Sequence, residues 1–317
     1  MMEKGVNGIL LSDKGVGETS HGVVKKVRAL FREGGPVKVG HAGTLDPFAT
    51  GLLIILVGEG TKLSRFIMSE DKVYLATVEL GIETDTLDPT GRILRTSRVP
   101  NLEHDFIRAS AGRFVGKIRQ VPPAYSALRH EGTRAYKLAR KGLDVALRAR
   151  EVTIHALDIV EIDLPLIFMR IRCSSGTYIR SLAADLGRDL GPGGHLRELR
   201  RIKSGPFDVE NAISSSEMGD KACGEIISKR VISLPDALPH MEEIFIDRAL
   251  ARRIRQGYQP SWKELTAAQE GKIAMHHGPH GGWIKLVGNG KLAAIIRVFL
   301  GEETNEIRAK VERVFSA

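Results

Sequence analysis

Cysteine is scarce: Cys173 and Cys223 are the two in 317 residues, and no CxxC spacing occurs. That argues against a disulfide framework or a thiolate zinc site and leaves reduced thiols as the default. Long apolar runs are missing as well, none approaching the roughly 18 residues that a membrane span needs. Residues 1–13 show neither a secretory apolar core nor a cleavage site, so the expected location is cytoplasmic, away from any membrane. The phosphate-loop pattern G-x-x-x-x-G-K-[ST] is absent, and neither an internal repeat nor a low-complexity tract is visible. Acids are outnumbered, 38 against 47 Lys and Arg, for a formal charge of +9 and a pI near 9.6. Such an excess suits a polyanionic partner or merely a basic soluble surface; charge alone does not choose. The length suits about two domains.

What is present centres on residues 40–51, Gly-His-Ala-Gly-Thr-Leu-Asp-Pro-Phe-Ala-Thr-Gly. Three glycines and a proline punctuate the backbone, and one imidazole (His41), one hydroxyl (Thr44) and one carboxylate (Asp46) sit among them. Ahead of it, Val23, Val24, Val27, Leu30 and Phe31 recur at helical spacing behind a natural N-cap at Thr19 or Ser20. Behind it, residues 52–57 form an apolar run with the composition of a buried strand. The stretch therefore reads as a functional loop that is neither helix nor strand, holding a carboxylate near the core. Residue by residue, a turn capped by Asp46 with a surface His41 is the commoner meaning.

The string Gly40-His41-x-Gly43-x-Leu45-Asp46-Pro47-x-Ala49-x-Gly51 resembles the catalytic loop of the TruB-type tRNA pseudouridine synthases. Three further stretches, in the same order, resemble that family's motifs. One is residues 120–142, Gln-Val-Pro-Pro-Ala-Tyr-Ser-Ala through the Tyr136, Ala139-Arg140 and Gly142 positions, with Arg129 where the family usually has lysine. The second is Gly176-Thr177-Tyr178-Ile179-Arg180-Ser181-Leu182-Ala183 with Asp185, Leu186 and Gly187. The third is residues 195–207, ending in Gly205-Pro206-Phe207. Near the N-terminus, Lys14-Gly15-Val16-Gly17-Glu18-Thr19-Ser20 stands where the family usually has Lys-Pro-x-Gly-x-Thr-Ser; Gly15 for proline puts loop stiffness in question.

The resemblance implies an α+β pseudouridine-synthase fold: a large mixed, mainly antiparallel sheet flanked by helices in residues 1–238, and a small β-rich PUA-like RNA-binding domain in residues 239–317. It implies isomerisation of uridine to pseudouridine in the TΨC loop of transfer RNA, by the stand-alone bacterial type of enzyme. It assigns the nucleophile to Asp46, its charge partner to Arg180, and contact with the flipped uracil to Tyr74, Tyr178 and Leu199. Tyr74 is also the implied base for the C5 proton, His41 the side chain that enters the space the base vacates, and Asp88 a secondary candidate. Breaking and remaking a bond to the same uracil needs a shielded carboxylate and a pocket, so no cofactor or metal is expected. The partner would be the T stem-loop of tRNA, with no obligate protein partner and a monomeric enzyme. A non-catalytic tRNA-binding or folding protein, or a relative acting on another RNA, is the alternative.

Residue pattern places these positions. Residues 72–80 read as a strand with Tyr74, Ala76, Val78 and Leu80 on one face, and residues 61–69 as a short helix. Residues 83–91 read as an acidic turn containing Asp88. Residues 111–150 hold ten Lys and Arg against Glu131 and Asp144, making this the leading RNA-backbone face: Arg129, Arg134, Lys137, Arg140 and Lys141, extended by Arg200 and Arg201. Residues 131–141 can be helix, whereas the paired prolines at 122 and 123 cannot. Residues 151–163 and 166–173 read as strands parted at Pro165, and residues 178–190 as a helix with Tyr178 and Arg180 in its first turn. In the tail, Asn289-Gly290 between two apolar runs signals a hairpin. The run His276-His277-Gly278-Pro279-His280 reads as an exposed loop in preference to a zinc site.

Overall fold

The computed structural model describes residues 6–31, 35–126, 128–130, 132–139, 141–143, 147–219, 224–267, 282–301 and 306–316. Strand β1 (Gly8–Lys14) turns into helix α1 (Ser20–Leu30), capped by the Thr19 hydroxyl, which accepts from the Gly22 N–H. Strands β2 (Val39–Ala42) and β3 (Thr50–Val57) follow, then a 3-10 turn over Gly58–Leu63, helix α2 (Ser64–Met68) and strand β4 (Lys72–Leu80). A short hairpin, β5 (Ile82–Thr84) with β6 (Ile93–Thr96), precedes helix α3 (His104–Gly112) and β7 (Gly116–Gln120). Next come β8 (Arg129–His130), β9 (Thr133–Arg134) and one turn of helix, α4 (Ala135–Ala139). The hairpin β10 (Arg150–Asp163) and β11 (Leu166–Cys173) leads to α5 (Ile179–Leu190) and the long β12 (Gly194–Ser204). After β13 (Phe207–Asp208), β14 (Ile213–Ser214) and α6 (Gly224–Lys229), the tail holds β15 (Glu242–Phe245), α7 (Arg248–Arg255), α8 (Trp262–Thr266), β16 (Gly282–Gly288), β17 (Lys291–Leu300) and β18 (Ile307–Val314).

Ten strands make one mixed sheet in the order β14-β1-β3-β12-β4-β11-β10-β7, with β13 on β12 and β2 on β3; β15-β16-β17-β18 make a second sheet. The unbroken apolar run in β3 is explained by burial on both faces. Leu53, Ile55 and Val57 enter the core built with Val23, Val24 and Val27 of α1 and Leu182 and Leu186 of α5. Leu52, Ile54 and Leu56 enter the other, shared with Val287, Leu292, Ile295 and Phe315 of the tail. The tail sheet thus covers the face of the large sheet opposite α1 and α5, and Phe66 of α2 meets Trp283 edge-on with ring centroids 5.2 Å apart.

Two expectations change, and one element appears that was not assigned from the sequence. The stretch 40–51 is not all loop: His41 lies on β2, Thr50 and Gly51 begin β3, and only 43–49 is irregular. Helix in 131–141 shrinks to Ala135–Ala139, behind the two-stranded hairpin that turns at Gly132, φ +82°. The cationic segment after His195 is a central strand, β12, paired with β4 over almost its whole length. Tertiary pairing there overrides a composition that has no strand-like apolar alternation. Cys223, Glu131, Arg140, Asp144 and the His276–His280 run lie outside the described residues.

Candidate active site

Asp46 is held by neighbours on both sides of it. Ser20, at the start of α1, donates its hydroxyl to the Leu45 carbonyl at 3.0 Å and accepts from the Leu45 N–H at 2.9 Å. The Pro47 carbonyl accepts from the Gly17 N–H at 2.8 Å and from the Lys14 ammonium at 3.3 Å. The turn before α1 is thus the anchor of the loop. Gly15 in place of proline does not loosen it, because the Gly15 N–H, which proline lacks, donates to Ser215 Oγ at 3.0 Å. Gly51 is required by its surroundings: φ is +99°, and a Cβ would stand 2.3 Å from the Arg201 carbonyl oxygen of β12.

Arg180 arrives from the first turn of α5 and is buried. Its Nε lies 3.0 Å from Asp46 Oδ2 and its Nη1 3.1 Å from Asp88 Oδ2. Nη1 also donates to the Thr86 carbonyl and Nη2 to the Tyr125 carbonyl, each at 2.9 Å. Asp88 is fixed in turn by the Thr86 and Thr90 hydroxyls at 2.7 and 2.6 Å and by the Thr90 N–H at 3.0 Å. The guanidinium therefore bridges two carboxylates in a rigid fork, the geometry for which arginine is suited. The acidic turn 83–91 holds the arginine that meets the acid.

Burial pushes the Asp46 carboxyl above the usual aspartate range; Arg180 and Lys14 pull it down, and Asp88 pushes it up further. Desolvation is the larger effect on this acid, and the arginine offsets part of it. Tyr74 is buried, with its phenol raised by burial and by the Asp46 charge and lowered by Arg201. Leu199 pairs with Ala76 and Arg201 with Tyr74 across the β12–β4 ladder, so Leu199 and Tyr74 share one face as diagonal neighbours. Tyr178 is the N-cap residue of α5, its N–H and C=O both bonded to the Gln120 amide, at 2.8 and 3.0 Å. The Arg150 guanidinium lies over its ring at 4.7 Å. His41 is half-buried, its Nδ1 has no partner, and burial, then Arg201 and His21, hold it below the usual imidazole range.

The structure also brings in groups that pattern reading passed over. Lys14, fully buried, bonds to the Gly15 and Glu18 carbonyls at 2.9 and 2.8 Å, and burial lowers it to about 8. Lys72, likewise buried, donates to the Met68 and Glu70 carbonyls and is lowered to about 8 by burial and then by Arg201. A signal existed: Lys72 is in phase with Tyr74, Ala76 and Val78, and Lys14 with Leu10 and Ser12. Of the expected RNA-backbone cations, Arg134, Lys137 and Lys141 are exposed; Arg200 is half-exposed and already forked onto Asp13 at 3.0 and 2.7 Å. Arg201 is a correction: at 1% exposure it is a core residue, not a backbone-facing one. Among the described residues no cluster of three or more potential ligands could hold a metal ion. A cleft of about 620 Å³ between Lys62, Arg65, Glu312 and Arg313 shares none of these groups.

Comparison with known proteins matches residues 28–179 to the TruB family pseudouridylate synthase N-terminal domain and residues 180–238 to the tRNA pseudouridylate synthase B C-terminal domain. A tRNA pseudouridine synthase B from Geobacter sulfurreducens is 38% identical over 98% of this chain and 100% of its own length. One from Syntrophus aciditrophicus is 41% identical over 92% and 91%. Among solved structures, a Cbf5-Nop10-Gar1 complex contains a chain of similar fold, TM-score 0.72 at 24% identity, covering 98% of this chain and 85% of that one.

Proposed function

The chain belongs to the TruB family and is an enzyme that isomerises uridine to pseudouridine in transfer RNA, and we propose that it does so at the TΨC-loop uridine with Asp46 as nucleophile. The observation that carries this reading is the Asp46–Arg180–Asp88 chain, in which buried Arg180 and Asp88 back a half-buried Asp46, assembled from three separate stretches of sequence near the Tyr74 phenol. An anionic carboxylate, partly desolvated and fixed at both flanking residues, is what attack on the uridine requires. The uridine is extruded from the RNA at a cost of about a few kcal/mol. Stacking on Tyr74 offsets about 1–3 kcal/mol of that, and His41, at the mouth of the loop, enters the space left behind. Tyr178 and Leu199 hold the detached uracil while it turns.

The proton balance closes by exchange with solvent. The Tyr74 oxygen, as phenolate, takes the proton from C5 after the C5–C1′ bond forms. N1, freed when N1–C1′ breaks, takes one from solvent, and the phenol returns its proton to solvent. No oxidant or reductant enters.

The exposed Arg134, Lys137 and Lys141 form the surface that meets the phosphates of the T stem-loop, and the half-exposed Arg200 adds to it; Arg129 and Arg140 belong to the same basic run in the sequence. The chain divides near residue 238 into a catalytic part and a PUA-like RNA-binding part, and works as a cytoplasmic monomer. No helix among the described residues is long and apolar enough to cross a membrane. Asp46→Asn tests the mechanism: tritium release from 5-tritiated uridine in tRNA is abolished while RNA affinity stays within a few-fold. Full turnover by that variant removes Asp46 from the chemistry. Binding by the parent protein without any tritium release leaves only a tRNA-binding protein.

A further inference from the structure

Arg201 is buried on the central strand β12, with Nε donating to the Leu52 carbonyl at 2.7 Å and Nη2 to the Gly43 carbonyl at 3.1 Å. Among the described residues no carboxylate lies within ion-pair distance of it, in contrast to Arg180, which holds two. Its charged neighbours have the same sign: it helps to lower Lys14, Lys72 and His41. A buried guanidinium left without a counter-charge is costly in the resting protein and becomes favourable only when an anion arises beside it. Directly across the ladder from it stands Tyr74.

We propose that Arg201 is a positioning residue that stabilises the Tyr74 phenolate, and so makes Tyr74 a competent base toward the C5 proton. The proposal rests on the reading of Tyr74 as that base. Geometry supplies the pairing: Arg201 and Tyr74 are register partners on one face of β12 and β4, and the two carbonyl bonds fix the guanidinium in place. The other groups acting on the phenol do not supply the missing charge. Cys173 of β11, its thiol pushed up to about 11 by burial, and Asp46 of the loop both disfavour the phenolate. Lys72, on the same strand, is bonded to backbone carbonyls and loses its proton near 8, below the range in which a phenol ionises. Burial raises the phenol, and Arg201 is the principal group opposing that rise.

The test is a titration that needs no turnover. Phenolate absorbance of the RNA-free protein, minus that of the Tyr74→Phe variant, reports Tyr74 alone. In Arg201→Gln the Tyr74 ionisation moves to higher pH by about one unit or more. In Arg201→Lys, which keeps the charge and loses the fork, it stays near that of the parent protein. Single-turnover tritium release falls in Arg201→Gln and is recovered in part when 3-fluorotyrosine, a more acidic phenol, replaces Tyr74 in that background. An unchanged titration with a lowered rate would reduce Arg201 to a clamp on the loop and overturn the proposal. So would an unchanged titration with weakened RNA affinity, which would make it a phosphate ligand. Should Arg201→Gln fail to fold, Arg201→Lys alone decides, because loss of the parent titration in a folded, charge-retaining variant also overturns it. Normal tritium release by Tyr74→Phe would sink the base assignment itself, leaving the titration result standing.

Discussion

Replacing Arg180 by lysine separates charge from shape at the centre of the site. The guanidinium donates to Asp88 at 3.1 Å and to the Thr86 and Tyr125 carbonyls at 2.9 Å, and its Nε forms an ion pair with Asp46 at 3.0 Å. One ammonium nitrogen on a straight stem cannot meet both carboxylates and both carbonyls. One charge-assisted bond at least is removed, worth about 1.5–3 kcal/mol, and a carboxylate left unpaired in a buried setting costs about 3–5 kcal/mol. Borne by the transition state, a loss between about 1.5 and 5 kcal/mol is roughly 10- to 5,000-fold in rate. The pH profile moves with it. Activity needs the Asp46 anion and falls as pH drops through the pKa of a carboxyl that burial already holds high. Weakening the Arg180 contribution raises that pKa further, so the acidic limb shifts toward higher pH. Single-turnover tritium release from tRNA across a pH series measures both effects. A variant within threefold of the parent, with its acidic limb unmoved, would show that the fork does not set the state of Asp46.

Ser20→Ala removes two buried bonds to Leu45 while leaving the Thr19 cap in place, and lowers stability by about 1–3 kcal/mol in urea unfolding. A change under about 0.5 kcal/mol would mean that water replaces the hydroxyl. Gly51→Ala forces a Cβ to within 2.3 Å of the Arg201 carbonyl oxygen at φ +99°, and a drop in soluble yield or in melting temperature is the expected result. Neutralising Arg134 and Lys141 flattens the salt dependence of tRNA binding by about one unit of slope for each phosphate no longer neutralised. An unchanged slope would place the RNA elsewhere.

Local features were legible in the chain before any fold was known. Periodicity set β4 at residues 72–80, and the β10–β11 hairpin and α5 to within a residue, because each carries a regular apolar pattern bounded by turn residues. Motif wording placed Asp46, Tyr74, Asp88 and Arg180 in one candidate site, and the fold brings them together. Burial and long-range pairing were not legible in the same way. Arg201 read as a surface cation because its neighbours are charged; it is core because β12 is sandwiched between β3 and β4. Lys14 and Lys72 became buried, weakly basic groups for the same reason: a strand's phase says which way a side chain points, while what covers that face comes from elements far away in sequence. Desolvation is a property of that cover, so the balance of charge around Asp46 could not be read before the sheet was assembled.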